Sequence, residues 1–413
     1  MKKSCKAAFV SNYINHHQIP FCDAFYRLLE GKFTFVQTEA MEQQRVQMGW
    51  HEAERPAYVR CYYEEEEACR QLILDCDVVL FGGTDDESYI EERLEAGKPV
   101  IRISERLYKT GQWKAVSPRG LLKKYHDHTR YRKAPVYLLC AGAYVASDFH
   151  IVRAYPGKMY CWGYFPETRH YDVDRLLEQK GYGEKKIPSL LWAGRMIDWK
   201  HPELAVETAS YLREKGLDFR MDIIGDGEMR SQIEELSIKR QLKDNVIFHG
   251  YQPPEEVRRY MEKADIYLFT SDRQEGWGAV ANEAMNSACA LVADHMIGAV
   301  PYLVKDGENG LIYEDGKKER LFFLAEKLVR DRPLCRELGR QANRTITQVW
   351  NAENAAARLA DLIDCLLNGG DPVSGQPQTD MAGNGRESRY EPCAPAPLLR
   401  ERYRVGDECM QRL

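Results

Sequence analysis

Short apolar runs recur along the chain, and amphipathic stretches with apolar positions three or four apart lie between them. Runs of the first kind predict buried strands, and the stretches between them predict helices. In the first half the strands fall at 6–10, 33–36, 78–81, 100–103, 136–140 and 159–162, with helices such as 20–29 and 64–74 between them. From 166 to 188 the pattern gives way to a polar stretch with Gly181, Gly183, Lys185 and Lys186, which reads as a linker. A second series follows, with strands at 190–193, 221–224, 246–249, 266–270, 290–293 and 310–313. Helices at 202–214, 228–240, 254–263 and 277–287 separate them. Only helical patterns follow Glu314, up to Leu367. The remainder, 368–413, is rich in Gly, Pro, Ser and charge and lacks apolar periodicity, so a disordered tail is expected.

Alternating strands and helices predict the α/β class. The expected domains are 1–165 and 189–346, each a doubly wound parallel sheet, with a helix at 347–367 returning toward the first. Such sheets bind ligands beyond the carboxyl ends of their strands, so two facing sheets would enclose a cleft.

A chain of 413 residues suits two domains, and 44% apolar with 29% charged residues is ordinary for a globular protein. The net charge of −5 speaks against nucleic acid as a partner. Twelve cysteines are irregularly spaced, without a C-x-x-C pair or zinc spacing, which predicts reduced thiols and no metal site. Neither an apolar leader nor a run of roughly 20 apolar residues occurs. A cytoplasmic protein is therefore expected. Between Arg106 and Lys133 stand nine Lys or Arg and one acid, Asp127, interleaved with Leu121, Leu122, Tyr125 and Tyr131. That segment reads either as a solvated basic helix or as a contact with anionic lipid on the inner face of the cell membrane.

Four strand-to-helix junctions of the second series carry candidate chemistry. Gly194-Arg195 follows its first strand and Lys200 approaches the next helix; a guanidinium fork and an ammonium at one sheet mouth suit a diphosphate. Gly225-Asp226-Gly227 and Gly250-Tyr251-Gln252 follow the next two strands, where glycine permits close approach of a ligand. The fourth junction is Glu275-Gly276-Trp277-Gly278-Ala279-Val280-Ala281-Asn282-Glu283. Free amides at a helix start attract phosphate, and carboxylates on either side suit hydroxyls of a sugar and a ribose.

Glu275 to Glu283 matches the E-x7-E motif of retaining glycosyltransferases with the GT-B fold. Residues 190–313 resemble glycosyltransferase family 4, through Trp192–Arg195, Ile223–Glu228, Phe248–Tyr251 and Asn309–Tyr313, as found in bacterial polysaccharide biosynthesis. The resemblance implies two Rossmann-like domains and a nucleotide-sugar donor, UDP- before GDP-linked. The acceptor would be a saccharide or lipid-linked saccharide, and no metal or other cofactor is implied. Arg195 and Lys200 would hold the diphosphate, Glu275 the transferred sugar and Glu283 the ribose. Amides around Gly276, Trp277, Gly278 and Ala279 would cradle phosphate and sugar, and the loops at Gly225 and Tyr251 would border the base.

The first half departs from the family pattern. Asn12 to Pro20 stands where many members turn on two glycines. Strand 100–103 runs into Ser104-Glu105-Arg106, where many carry a histidine beside the donor sugar. His16, His17 or Glu105 is then the candidate for that role. A metal-dependent alternative would need an Asp-x-Asp at a strand end. Asp75-Cys76-Asp77 precedes a strand, and Asp172-Val173-Asp174 suits a helix cap. Two rival functions are a nucleotide-sugar epimerase of the same fold and a non-catalytic nucleotide-sugar-binding subunit of a polysaccharide assembly complex.

Overall fold

The computed structural model describes residues 5–41, 55–181, 187–314, 316–370 and 392–399. The chain divides into two compact units. One runs to Glu167 and resumes at Trp350; the other is Thr168–Val349.

The first unit is built on strands β1 (Ala7–Ser11), β2 (Phe33–Gln37), β3 (Val59–Cys61), β4 (Val78–Phe81), β5 (Val100–Ser104), β6 (Val136–Ala141) and β7 (Met159–Trp162). All pair in parallel, in the order β3-β2-β1-β4-β5-β6-β7. Helices α1 (Ile19–Leu28), α2 (Glu66–Asp75), α3 (Ser88–Glu95), α4 (Pro118–Asp127) and α5 (Val145–Ile151) lie between them. Central strands β1 and β4 are buried along their whole length, which explains their unbroken apolar runs. β3 has three residues and no apolar run long enough to announce it. Arg93 is buried beneath this sheet. Its guanidinium donates to the carbonyls of Ile73, Cys76, Asp77 and Pro99 at 2.8–3.0 Å. One side chain thereby closes the end of α2 against the starts of β4 and β5, while burial lowers its pKa.

The second unit holds β8 (Ser189–Ala193), β9 (Arg220–Ile224), β10 (Val246–Gly250), β11 (Ile266–Phe269), β12 (Ala290–Asp294) and β13 (Leu311–Tyr313). They are parallel, in the order β10-β9-β8-β11-β12-β13. Its helices are α6 (Val173–Gln179), α7 (Pro202–Glu214), α8 (Arg230–Lys239), α9 (Pro254–Lys263), α10 (Val280–Asn286), α11 (Val300–Leu303), α12 (Lys318–Arg330) and α13 (Arg332–Arg344). The core joins Leu190, Met221, Ile223, Ile266, Leu268 and Val292 to Ala205, Ala209, Leu324 and Leu338 from the helices. Helix α6 lies inside the stretch read as a linker. Asp172 caps it by accepting from the Arg175 amide at 3.1 Å, and Leu176 and Leu177 bury against Ala288. Lys180, fully buried after it, donates to the Met261 carbonyl at 3.0 Å and to that of Ala264, at the end of α9.

The returning chain forms α14 (Ala352–Leu367), capped by Asn351 and packed against α1. Trp350 stacks on Phe165 at 5.6 Å. The tail expectation is corrected at 392–399. The Cys161 amide donates to the Ala394 carbonyl at 2.6 Å, and the Ala396 amide to the Met159 carbonyl at 3.0 Å. The segment thus runs antiparallel beside edge strand β7. Backbone pairing, which needs no apolar period, holds it there. Among the described residues no helix is long and apolar enough to cross a membrane.

Candidate functional site

The order β10-β9-β8-β11 brings the loops after these four strands side by side at their carboxyl ends. Backbone bonds stitch them together. The Gly194 amide donates to Ile224 at 3.0 Å, that of Met196 to Asp226 at 2.8 Å, and that of Gly225 to Gly250 at 2.8 Å. Gly225 has φ +134°, and a Cβ there would lie 1.8 Å from the Gly194 oxygen. Only glycine permits this contact between the first two loops.

Arg195 is exposed at the mouth of this cluster. Trp199 sits between it and Lys200: the guanidinium carbon is 5.8 Å and the ammonium 4.7 Å from the indole centroid. The Lys200 ammonium is paired with the Glu275 carboxylate, and both side chains are mostly buried. Ser271 donates to the same carboxylate at 3.0 Å. Thr270 donates to the Lys200 carbonyl at 2.7 Å and accepts from the Trp192 indole at 2.8 Å. Lys200, expected to hold phosphate, and Glu275, expected to hold the sugar, are therefore paired with each other.

Helix α10 starts at Val280, three residues later than the sequence pattern predicts. Gly278, at φ +91°, cannot continue a helix, and a Cβ there would lie 2.4 Å from the Phe269 ring. Residues 276–279 therefore form a turn, tethered where the amides of Gly298 and Ala299 donate to the carbonyls of Glu275 and Trp277, each at 3.1 Å. The Trp277 side chain is fully buried and donates to Asn282 at 2.9 Å, which leaves only its backbone for a ligand. Glu283 is half-buried in α10. Burial raises the Tyr267 phenol pKa, and the charges of Glu283 and Glu275 add to the rise. Tyr251 is half exposed after β10.

His201 was not singled out in the sequence. It follows Lys200 in a left-handed conformation, φ 49° and ψ 53°. Its Nδ1 lies 2.8 Å from Glu203 and its Nε2 3.6 Å from Asp272. The carboxylates of Asp272 and Glu203 beside the ring raise its pKa to about 10. The sequence signal was weak: a histidine directly after the basic residue, with its second partner on a distant loop.

In the first unit, a cavity of about 780 Å³ opens at the carboxyl ends of the strands, lined by Asn12, Asn15, His17, Glu39, Glu105 and Tyr164 among others. Of the two neighbouring histidines, His17 lines the cavity, and His16 packs on it with ring centroids 3.9 Å apart. Burial, with His16 beside it, holds the His17 pKa down to about 3, so the ring is neutral. Glu105 accepts from Tyr164 at 2.6 Å and pairs with Lys109 at 2.5 Å. Among the described residues no cluster of three or more His, Cys, Asp or Glu could hold a metal ion.

The family model for glycosyl transferases group 1 matches residues 174–345. Over 181 residues the chain is 28% identical to alpha-D-kanosaminyltransferase of Streptomyces kanamyceticus, covering 44% of this chain and 46% of that one. Over 183 residues it is 26% identical to the putative colanic acid biosynthesis glycosyltransferase WcaL of Salmonella typhimurium, covering 43% and 45%. The chain thus spans about half the length of these relatives. Among solved structures, Anabaena HepE in complex with UDP aligns with a TM-score of 0.65 at 14% identity, over 87% of this chain and 99% of that one. WaaG, a glycosyltransferase involved in lipopolysaccharide biosynthesis, aligns with 0.58 at 15% identity, over 86% and 99%. These neighbours share the architecture of two parallel-sheet, Rossmann-like units, the GT-B fold. The chain carries a glycosyltransferase group 1 domain over residues 174–345.

Proposed function

We propose that this chain is a retaining, metal-independent glycosyltransferase that moves a sugar from a UDP-sugar to a hydroxyl of a saccharide, lipid-linked in its natural setting. The observation that carries the reading is the convergence of Arg195, Lys200 and Glu275 on one glycine-lined mouth of the second sheet. Arg195 and Lys200 neutralise the leaving diphosphate, and backbone amides of the 276–279 turn add fixed dipoles. On donor binding, phosphate takes Lys200 from Glu275, which frees that carboxylate for hydroxyls of the transferred sugar. The acceptor hydroxyl attacks on the face the diphosphate leaves, and a departing phosphate oxygen takes its proton. UDP is favoured as the nucleotide because structural neighbours were solved with UDP and UDP-glucose. Metal independence is supported by the work the Asp-x-Asp residues already do. Asp77 accepts from the Lys6 amide at 2.7 Å, and Asp172 caps α6.

Calorimetry with UDP in excess EDTA, paired with turnover assays, tests this. Wild type binds UDP. Glu283→Gln weakens it by about 1.5–3 kcal/mol, the range for a hydrogen bond to a charged group. Glu275→Gln keeps UDP affinity and lowers kcat/KM for transfer. Equal loss of UDP affinity in both variants refutes the assignment of sides, and no nucleotide binding in EDTA refutes the metal-free donor site.

The acceptor side is read with the basic segment. Trp113, Val116, Leu122 and Tyr125 are 57–77% exposed around α4, among exposed Lys114, Arg119 and Lys123. Apolar and basic groups interleaved over the exposed 3-10 turn 112–116 and the helix α4 after it suit anionic lipid. Lys124 is the exception: burial lowers its pKa, and it lines the first-unit cavity. Sedimentation with phosphatidylglycerol vesicles at low and high salt tests the contact, and absence of salt-sensitive pelleting removes it.

A further inference from the structure

His201 occupies a costly position. Its backbone is left-handed, a conformation glycine takes without strain and a histidine does not. The side chain compensates by reaching two carboxylates from different parts of the second unit, Glu203 in the first turn of α7 and Asp272 on the loop after β11. That second loop also carries Ser271 and Glu275, while His201 directly follows Lys200. The Asp272 amide donates to the Trp199 carbonyl at 2.9 Å, so the two loops are joined by backbone as well. The charged groups around the ring are Asp198, Lys200 and Glu203 on its own side and Asp272, Arg273 and Glu275 on the facing loop. Of these, Glu203 and Asp272 contact the imidazole.

Two carboxylates beside a diphosphate site are an electrostatic problem. Left uncompensated, they would repel the phosphates or draw Arg195 and Lys200 away from them. We propose that His201 is a positioning residue of the donor site: its imidazolium holds Asp272 and Glu203, ties the loop of Lys200 to the loop of Glu275, and so keeps the phosphate-binding cations available to the donor. This rests on the donor-site reading above and names a residue that reading does not use. An ordinary histidine would lose its charge between pH 6 and 7. This one stays charged to about pH 10, so it acts as a fixed cation and not as a switch.

The experiment is calorimetry of UDP with the full chain between pH 5.5 and 9, on wild type, His201→Gln, His201→Lys and His201→Gly, with melting temperatures on the same samples. The ratio of wild-type to His201→Gln affinity stays level across the range, which cancels the ionisation of the UDP phosphate at about pH 6, common to both proteins. His201→Gln binds UDP on the order of tenfold more weakly at pH 8, equivalent to about 1.4 kcal/mol, and its KM for the donor rises more than its kcat falls. His201→Lys recovers part of the loss because it restores charge. His201→Gly relaxes the backbone and melts no lower than His201→Gln, yet binds UDP as weakly, which separates lost charge from lost fold. If His201→Gln and His201→Gly bind UDP like the wild type, the inference is overturned. If that affinity ratio falls in a single-proton step as pH rises through about 6.5, it is overturned too, because the ring then titrates freely. If the wild type binds neither UDP nor GDP at any pH, the donor-site reading itself fails, and that outcome is distinct from the other two.

Discussion

The two sheets are wound in the same order about their first strands, but His17 and His128 in the first unit and His201 in the second are held in opposite states. In the first unit His17 and His128 are half-buried and neutral, each with a pKa held down to about 3, chiefly by loss of solvent around the ring. His128 keeps a 2.8 Å bond to the Tyr155 hydroxyl. In the second unit His201 is held charged by two carboxylates. The difference follows from what each sheet offers at its carboxyl ends. The first presents a cavity with amides, carboxylates and a neutral ring, which suits hydroxyl-rich ligands. The second presents a cluster of opposite charges that balance one another.

Three changes would break or sharpen this contrast. The largest effect is expected from Gly225→Ala, whose Cβ would overlap the Gly194 oxygen in a backbone conformation alanine avoids. It should cost the second unit more than about 4 kcal/mol and abolish nucleotide binding, with the first unit's protection from hydrogen exchange largely kept. Equal loss of protection in both units would show that they do not unfold separately.

Next comes Arg93→Met, the counterpart in the first unit. It leaves four carbonyls without their donor and should cost about 3–4 kcal/mol in denaturant melts, confined to the first unit. A loss below about 1 kcal/mol would mean that water replaces the guanidinium.

The smallest effect is that of mild pH change, and its sign differs between the units. For His17 and His128 the folded pKa lies below the unfolded value of about 6.5. The unfolded chain therefore takes up protons that the folded unit refuses. Their contribution is intact above pH 6.5 and is lost as pH falls, by about 2–3 kcal/mol for the pair at pH 5.5. For His201 the folded pKa lies above the unfolded one, so its contribution is complete below pH 6.5 and disappears as pH rises through about 10. Exchange rates corrected for intrinsic pH dependence should show the first unit opening first in acid and the second in alkali. The same order at both extremes would contradict the assigned states.

The second unit was the more legible in sequence, for physical reasons. Its strands β11, β12 and β13 are buried along their whole length and read as nearly unbroken apolar runs, and its loops carry glycines that no other residue can replace. Arg195, Lys200, Glu275 and Glu283 stand near such glycines. What sequence did not reveal depends on contacts between distant segments. Helix α6 buries only two leucines, too few to mark a period. Residues 392–399 are held by backbone pairing to β7. His201 acquires its charge from Asp272, and Trp199 its place from the two cations it separates. In the first unit, His16 and His17 read alike; only the fold shows which one reaches the cavity.

The return of the chain at Trp350 bears on how the protein is made. The second unit is continuous from Thr168 to Val349, whereas the first needs α14 to cover α1. During synthesis from the amino terminus, the unit begun first is thus the one finished last. Until α14 leaves the ribosome, the apolar surface of α1 that it covers stays open to solvent, chaperones or other chains. A stop codon or cleavage between 350 and 367 would accordingly damage the amino-terminal half and leave the second unit, which precedes the break, intact.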